Sequence, residues 1–274
     1  MADQWPPAES GWPSTDGGVR RSGVRRAMRV VGAVTVLALV GAVAADLGKD
    51  STPSYEGFGG TDLTPSPTAP SQSRDPSAGL LANLIVSDAD VGPGQTVSGL
   101  PGGNGLRVPT LDLCNGTYAS EAQRTARLQV AVVEGLSETV LSTEAVLYSS
   151  GAATAAAFTE LKSTAAACPD TPVESPVGLP TVTTRFGPAP DGDWPQVPSV
   201  ERLAFAFETT DENGEKSRSV AVYLRRGRAL LGVYFSNADE PKAVVEGKTA
   251  FGDIVNIFAE RLAKLPVAAI STTA

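Results

Sequence analysis

The sequence predicts an α+β fold, an antiparallel sheet with two main helices packed on one face. Three observations lead to this prediction. Apolar residues alternate with a period of two in several segments, short turns join these segments, and two longer stretches carry helical periodicity. The elements follow in the order strand, strand, helix, then three strands and a helix. Short hairpin connections favour antiparallel pairing with the helices segregated to one side.

The first predicted group is a hairpin followed by a helix. Residues 127–132 alternate between polar and apolar side chains, and after Gly135 a second strand is expected over 140–148. The alanine-rich segment 152–168 carries its larger apolar residues at helical spacing. Cys168 ends the apolar face of this predicted helix and is therefore expected on its buried side.

The second predicted group is a run of strands closed by a helix. After a short strand at 181–186, three strands are expected over 200–208, 218–225 and 228–236. A helix over 248–265 follows, because its apolar residues recur every three or four positions. The turn signals between the three strands are Asn213-Gly214 and Arg226-Gly227.

Basic residues stand immediately before an apolar run near the N-terminus. Arginines in this position are retained on the cytoplasmic side, so the chain after about residue 45 is predicted to be exported. The uncharged run 30–45 is shorter than the ~20 residues that a spanning helix needs. Three interpretations therefore stay open: a signal anchor over 27–46, a secretory signal cleaved near Ala42-Val43-Ala44, or a buried helix of a soluble domain. The arginines are Arg20, Arg21, Arg25, Arg26 and Arg29.

Composition divides the rest of the chain. Residues 1–26 are expected to form a disordered cytoplasmic tail, and the Pro/Ser/Thr-rich segment 47–77 to form a linker without helix or sheet. Residues 78–268 suffice for one extracytoplasmic domain, and 269–274 are expected to be a disordered C-terminus. The predicted location is the cell membrane, with a single pass and an extracytoplasmic C-terminal domain, or the exterior if the signal is cleaved.

Charge and cysteine content restrict the partners. The chain has 22 Lys/Arg against 30 Asp/Glu, and its net charge of −8 repels nucleic acid and anionic lipid. We therefore expect no nucleic-acid partner. Contact with the membrane is expected only through the N-terminal helix. Cys114 and Cys168 lie on the exported side, where disulfides persist, so a bridge is predicted. Two free thiols or a metal-binding pair are the alternatives.

The residue inventory argues against familiar catalytic sites. With no histidine, the chain lacks Ser-His-Asp and Cys-His nucleophilic sites, His-based zinc sites and a His general base. We expect no catalytic residues, no metal and no cofactor. Asn115-Gly116-Thr117 matches the glycosylation pattern. The carboxylates Glu134, Glu138, Glu144, Asp191 and Asp193 are interpreted as a solvated acidic surface rather than as general acids.

One face of the predicted three-stranded meander is a candidate ligand surface. Alternation places the large apolar residues of all three strands on one face and the small residues Ala204, Ala206, Ala221 and Gly232 on the other. Tyrosines around such small residues offer flat walls, and arginines can grip a carboxylate or phosphate. The alternative is an ordinary solvated sheet face. The candidate ligand-binding residues are Arg202, Tyr223, Arg225, Arg228 and Tyr234.

The order of these segments resembles a known family. The motifs that carry the resemblance are Ser87-Asp88-Ala89-Asp90-Val91-Gly92, then Tyr148-Ser149-Ser150, an alanine-rich helix, and Cys168-Pro169. Together with the basic N-terminus and the linker, they are similar to the PknH-like extracellular sensor domains of actinobacteria. Members occur on receptor kinases and on kinase-free envelope proteins, and this chain resembles a kinase-free, membrane-anchored member. The resemblance implies an α+β domain with a cleft for an extracellular ligand, and no catalytic residues.

The sequence thus favours a membrane-tethered extracytoplasmic sensor or ligand-binding domain that is not an enzyme. Its expected partner is an unidentified extracellular small molecule or cell-wall component. The first alternative is a cell-envelope adaptor that binds protein or wall polymer, which an exposed apolar patch would favour. The second is a secreted carboxylate-dependent hydrolase, which would need two carboxyl groups about 5–9 Å apart in a cleft.

Overall fold

A computed structural model describes residues 75–135, 137–176 and 178–271. Seven strands form one sheet: β1 (Gln95–Gly99), β2 (Arg124–Glu134), β3 (Glu138–Tyr148), β4 (Val182–Phe186), β5 (Glu201–Asp211), β6 (Lys216–Arg226) and β7 (Ala229–Phe235). The α-helices are α1 (Gly151–Ala167), α2 (Phe251–Ala263) and the short α3 (Val267–Ile270). One 3₁₀ helix precedes β1, at Ala78–Asn83, and two more lie between β1 and β2, at Leu113–Asn115 and Ala119–Gln123.

Every neighbouring pair in the sheet is antiparallel, in the order β1-β2-β3-β7-β6-β5-β4. The α+β class and the antiparallel sheet predicted from the sequence are confirmed. The two hairpins β2–β3 and β6–β7 meet at the centre, where β3 pairs with β7. The strand β1 was not predicted, because its residues Gln95–Gly99 carry a single large apolar side chain and no clear alternation.

The two main helices lie on opposite faces of the sheet, so the predicted placement on one face was wrong. Helix α2 packs Phe258 into one buried cluster with Val222, whereas α1 packs Phe158 into a second cluster with Tyr223. Val222 and Tyr223 are successive residues of β6 and therefore point to opposite faces. Strand β7 is buried along its whole length, as expected of a strand that is covered on both sides.

The register between β5 and β6 corrects a second prediction. Ala204 pairs with Val222 and Phe205 pairs with Ala221, so the alanines of β5 lie on the α2 face and its large residues lie on the α1 face. The sequence-based assignment had put all the large residues of the meander on one face. A register offset of one residue exchanges the faces of a whole strand, and alternation within each strand cannot detect it.

The boundaries of the folded part extend slightly beyond those expected. Asp75, within the predicted linker, is buried against the sheet, and α3 continues the fold through Ile270. The predicted tail and the predicted anchor over 27–46 lie outside the described residues. Among the residues that are described, no helix is both long and apolar enough to cross a bilayer.

Candidate binding site

The five predicted ligand residues do not form one surface. Tyr223 and Tyr234 are buried beneath α1, with 0% and 2% exposure, and their rings meet edge to face with centroids 5.7 Å apart. The Tyr234 hydroxyl donates to Oε2 of Glu144 at 3.2 Å. Gly232 makes room for this arrangement, since a Cβ there would overlap the Tyr234 ring. Both tyrosines therefore belong to the interior in this structure.

Arg228 forms a buried ion pair with Asp75. Its side chain is fully buried and contacts both carboxylate oxygens of Asp75, with Nη2 3.0 Å from Oδ1. It also donates to the carbonyl oxygens of Tyr148 at 3.1 Å and Ala269 at 2.8 Å. The hydrogen bond from Arg228 lowers the pKa of Asp75 to about 2. Arg228 thus joins both ends of the described domain to the β6–β7 turn.

The two remaining arginines lie on opposite faces. Arg225 on the α1 side lies over the Phe158 ring, 5.5 Å from its centroid, and pairs with Glu201. Arg202 on the other side lies 5.6 Å from the Trp194 centroid. That these five residues contact a ligand stays a prediction, but they cannot do so as one constellation.

An open cleft of about 570 Å³ lies instead at the N-terminal end of α2. Three segments form its walls: the loop between β4 and β5, the loop after β7, and the first turn of α2. Its lining residues are Asp193, Trp194, Pro195, Asp239, Pro241, Thr249, Ala250, Phe251, Gly252 and Asp253.

The aromatic wall of the cleft consists of Trp194 from the loop between β4 and β5 and Phe251 from the first turn of α2. Trp194 and Phe251 stack with ring centroids 6.4 Å apart and an interplanar angle of 28°. Gly252 is required for this packing, because a Cβ at that position would lie 2.8 Å from the Trp194 ring. The Phe251 ring in turn meets Phe235 of β7 edge to face at 4.8 Å, which connects the cleft wall to the sheet.

Arg202 holds the Trp194 loop in place. Its Nε donates to Oδ2 of Asp191 at 2.8 Å, and its Nη1 donates to the carbonyl oxygen of Pro195 at 2.7 Å. The guanidinium lies over the Trp194 ring, an arrangement that adds a cation–π attraction. With only 8% of its side chain exposed, Arg202 supports the cleft from inside the fold rather than projecting into it.

The charge of the cleft is negative. Its three ionisable lining residues are Asp193, Asp239 and Asp253, and no Lys or Arg lines it. Asp239 forms an ion pair with Arg218. Among the described residues, Asp193 and Asp253 make neither an ion pair nor a side-chain hydrogen bond, and both are exposed. Nowhere in the described part do three Asp, Glu or Cys side chains come together in a way that could hold a metal ion.

Sequence reasoning missed this site. It treated Asp193 as solvated surface and Phe251 as part of the apolar stripe of the last helix, and it gave Trp194 and Asp253 no role. A usable signal existed in Asp193-Trp194-Pro195, where a large aromatic residue stands beside a carboxylate in a loop rich in Pro and Gly. Only the fold could show that this loop meets the first turn of α2, because about 55 residues separate the two segments.

A second polar cluster lies on the α1 side, and it is closed. Glu144 of β3 is paired with Arg127 of β2, with 2% and 1% of the side chains exposed. Thr110 Oγ1 donates to Glu144 Oε1 at 2.8 Å, and Arg127 Nη2 donates to Oε1 of Gln129. We call this set the buried network. Glu144, one of the carboxylates interpreted as solvated surface, is therefore an interior residue.

The predicted bridge joins Cys114 to Cys168, with an S–S distance of 2.12 Å and a Cα–Cα distance of 6.0 Å. Such a bond is typical of an extracytoplasmic, oxidising environment. The neighbouring Asn115 is 4% exposed, and its amide nitrogen donates to the carbonyl oxygens of Val173 and Pro180. The glycosylation pattern at Asn115 is therefore inaccessible in the folded domain.

Comparisons with known proteins give only weak structural similarity. No protein-family profile matches this chain, and no curated protein matches it. Among solved structures, the fold is similar to the extracellular domain of PknH from Mycobacterium tuberculosis, with a TM-score of 0.39 and 12% sequence identity. The alignment covers 70% of this chain and 100% of that chain. Membership in the PknH-like family stays a prediction, and no residue role is transferred from this neighbour.

Proposed function

We propose that this chain is a membrane-tethered, extracytoplasmic ligand-binding protein without catalytic activity, and that its ligand occupies the cleft beside Trp194. The observation that carries the proposal is the cleft itself, an open space of about 570 Å³ with an aromatic wall and a negative charge. Concave sites with an aromatic lining and a few polar groups are the usual form of small-molecule sites.

The chemistry of the lining favours a positively charged ligand. Asp193 and Asp253 supply carboxylates without a protein cation, and Trp194 and Phe251 supply aromatic rings. An ammonium group is attracted both by carboxylates and by the faces of aromatic rings. We therefore propose that the ligand is an amine, free or carried by a wall component or peptide.

The proposed location rests on the disulfide and on the N-terminal charge pattern. The Cys114–Cys168 bridge fits an oxidising compartment. The arginines before the apolar run fit an N-terminus that stays in the cytoplasm. The part of the predicted linker before Asp75 would then hold the domain away from the membrane surface.

The adaptor alternative receives less support from the surface. Within the described residues, Val267 is the large hydrophobic side chain that stands exposed, at 68%. A single such residue does not make the contiguous apolar patch that marks a protein-docking surface.

The test is a binding titration of the full chain, purified in detergent, against a diamine such as 1,4-diaminobutane. Isothermal titration calorimetry should show saturable binding that salt weakens. The double variant Asp193→Asn, Asp253→Asn should bind at least about tenfold more weakly, a loss of ~1.4 kcal/mol. The matched control Asp170→Asn removes an exposed carboxylate outside the cleft and should bind as the wild type does. No binding, or equal binding by all three proteins, would contradict the proposal.

A further inference from the structure

The three carboxylates of the cleft are not equivalent, because one of them already has a cation. Asp239 pairs with Arg218 of β6, whose side chain is 30% exposed. Asp193 and Asp253 have no ion-pair partner among the described residues. An ion pair largely cancels the field of its carboxylate at a neighbouring ligand. The cleft therefore offers a positively charged ligand two unneutralised carboxylates instead of three.

The fold holds Arg218 and Asp239 together at the rim of the cleft. Arg218 lies on the same face of β6 as Val222, the face that α2 covers. Its carbonyl oxygen accepts a hydrogen bond from the N–H of Ala238 at 3.0 Å, which fixes the loop after β7 beside β6. Within this loop the N–H of Asp239 donates to Oδ1 of Asn237 at 2.9 Å. Both the backbone and the side chain of Arg218 thus position the loop that carries Asp239.

Two lysines stand near the lining residues in sequence, but neither is paired with a carboxylate of the cleft. Lys242 lies in the loop after β7, and its ammonium group pairs with Glu138. Lys248 lies just before α2, is exposed, and does not line the cleft. Within the described part of the chain, Arg218 is therefore the cation that neutralises a cleft carboxylate.

The two unpaired carboxylates flank the aromatic wall. Asp193 directly precedes Trp194, and Asp253 lies two residues after Phe251. A Cβ at Gly252 would lie 3.3 Å from Cβ of Trp194, so the two segments pass close to each other. Because successive Cα atoms lie about 3.8 Å apart, the Cα atoms of Asp193 and Asp253 are separated by at most about 14 Å. A short hydrocarbon chain with an ammonium group at each end can therefore meet both carboxylates while its methylene groups lie against the rings.

We propose that the ligand of the cleft is a divalent amine, with two ammonium groups on one short chain, and that Arg218 sets this valence by neutralising Asp239. The inference rests on the proposed function, because it takes an amine as the occupant of the cleft. The two ammonium groups can belong to a free diamine or to the N-terminal lysine of a peptide. A third ammonium group would find no unneutralised carboxylate in the cleft and would add little affinity.

The first test compares amines of different charge on the full chain in detergent, by calorimetry at one fixed ionic strength. The probes are butylamine, 1,4-diaminobutane, lysinamide and spermidine. The tighter of the two divalent probes, 1,4-diaminobutane or lysinamide, should bind at least about threefold more tightly than butylamine, and spermidine should gain less than about twofold over it. Which divalent probe binds more tightly distinguishes a free diamine from a lysine terminus. No binding of any probe would contradict the proposed function, whereas divalent probes that bind no better than butylamine would overturn this inference alone.

The second test changes the charge of the rim. Arg218→Gln leaves Asp239 unpaired, so the affinity for spermidine relative to 1,4-diaminobutane should rise at least about threefold. The double variant Arg218→Gln, Asp239→Asn removes both charges and should restore the wild-type ratio. The control Arg107→Gln removes an exposed arginine outside the cleft and should leave the ratio unchanged.

The ratio compares two ligands on one protein, so a variant that is merely less stable does not reproduce the expected change. A ratio that Arg218→Gln leaves unchanged, or that the double variant fails to restore, would overturn the role of Arg218. If Arg218→Gln did not fold, the series of amines on the wild type would still decide whether the ligand is divalent.

Discussion

The two sides of the sheet hold carboxylates in opposite physical states. On the α2 side, Asp193 and Asp253 stand in an open cleft and have no ion-pair partner among the described residues. On the α1 side, Glu144 is buried, accepts a hydrogen bond from Thr110 and is paired with Arg127. The difference lies in burial rather than in residue type. A carboxylate in water is stable as an unpaired ion and is free to bind a ligand, whereas a buried carboxyl group must be paired or protonated.

The largest expected effect is on the stability of the buried network. Glu144→Ala leaves the Arg127 guanidinium buried without its partner, and this should lower the free energy of unfolding by about 3–5 kcal/mol. Chemical denaturation followed by circular dichroism measures it. The double variant Glu144→Ala, Arg127→Ala removes the unpaired charge and should cost less than Glu144→Ala alone. A loss below about 1 kcal/mol in Glu144→Ala would mean that this side is as solvated as the cleft.

The disulfide should have the next largest effect, again on the α1 side. Replacing Cys114 and Cys168 together by serine opens a loop with a sequence separation of 54 residues. The expected loss is about 2–4 kcal/mol, because the unfolded chain gains conformational freedom. Denaturation of the double variant, with reduced wild type as its control, measures this loss. If the variant matched the oxidised wild type, the bridge would not constrain the fold.

A third prediction concerns acid stability at the Asp75–Arg228 pair. The folded-state pKa of Asp75, lowered to about 2, means that the pair stabilises the fold above pH 4 and loses this contribution as the pH falls through about 2. Asp75→Asn should therefore destabilise the protein by about 2 kcal/mol at pH 7 and by much less at pH 2. Thermal unfolding at both pH values measures the difference. An equal loss at the two values would show that the Asp75 charge does not matter.

A smaller effect is expected when Gly252 is replaced by alanine in the cleft. The new Cβ would stand 2.8 Å from the Trp194 ring, so the ring must shift. The emission of Trp194 should change and amine binding should weaken, while stability falls by about 1 kcal/mol, the low end of the cost of overpacking, because the cleft is open on one side. Fluorescence and calorimetry on the same sample test this. An unchanged emission spectrum would show that Trp194 does not pack on Gly252.

The smallest effect should come from the cleft carboxylates themselves. Asp193→Asn and Asp253→Asn change exposed side chains, so each should alter the free energy of unfolding by less than about 0.5 kcal/mol. The same variants are expected to weaken amine binding. Denaturation curves set against those of Glu144→Ala give the comparison directly. A large loss in the free energy of unfolding would show that these carboxylates stabilise the fold.

Local patterns in the sequence were sufficient for the elements but not for their arrangement. Alternation and helical spacing identified β2, β3, β5, β6, β7, α1 and α2 with small errors at their ends. The prediction of which side chains of β5 and β6 share a face of the sheet was wrong. Residues 203–207 and 220–224 alternate in the same way, and only the pairing of the two strands sets their relative register. The sign available in the sequence was the run Ala229–Phe235, which contains no charged residue and is typical of a strand covered on both faces.

The site was less predictable than the fold. Arg202, Arg225 and Arg228 were chosen because arginine grips anions, but each is used within the fold, by Asp191, Glu201 and Asp75. Residue type alone cannot tell a ligand contact from an internal ion pair. Trp194 was missed because its partner Phe251 is distant in sequence, and the cleft exists only where the two segments meet.

The central claim, that the Trp194 cleft binds an amine, is tested most directly through Trp194 itself. The chain has three tryptophans, and Trp5→Phe with Trp12→Phe leaves Trp194 as the reporter. Titration of this full-length protein with 1,4-diaminobutane should change the Trp194 emission saturably, and adding Asp193→Asn with Asp253→Asn should abolish the change at the same concentrations. Emission that stays constant while the amine binds, or a response that survives loss of both carboxylates, would contradict the account.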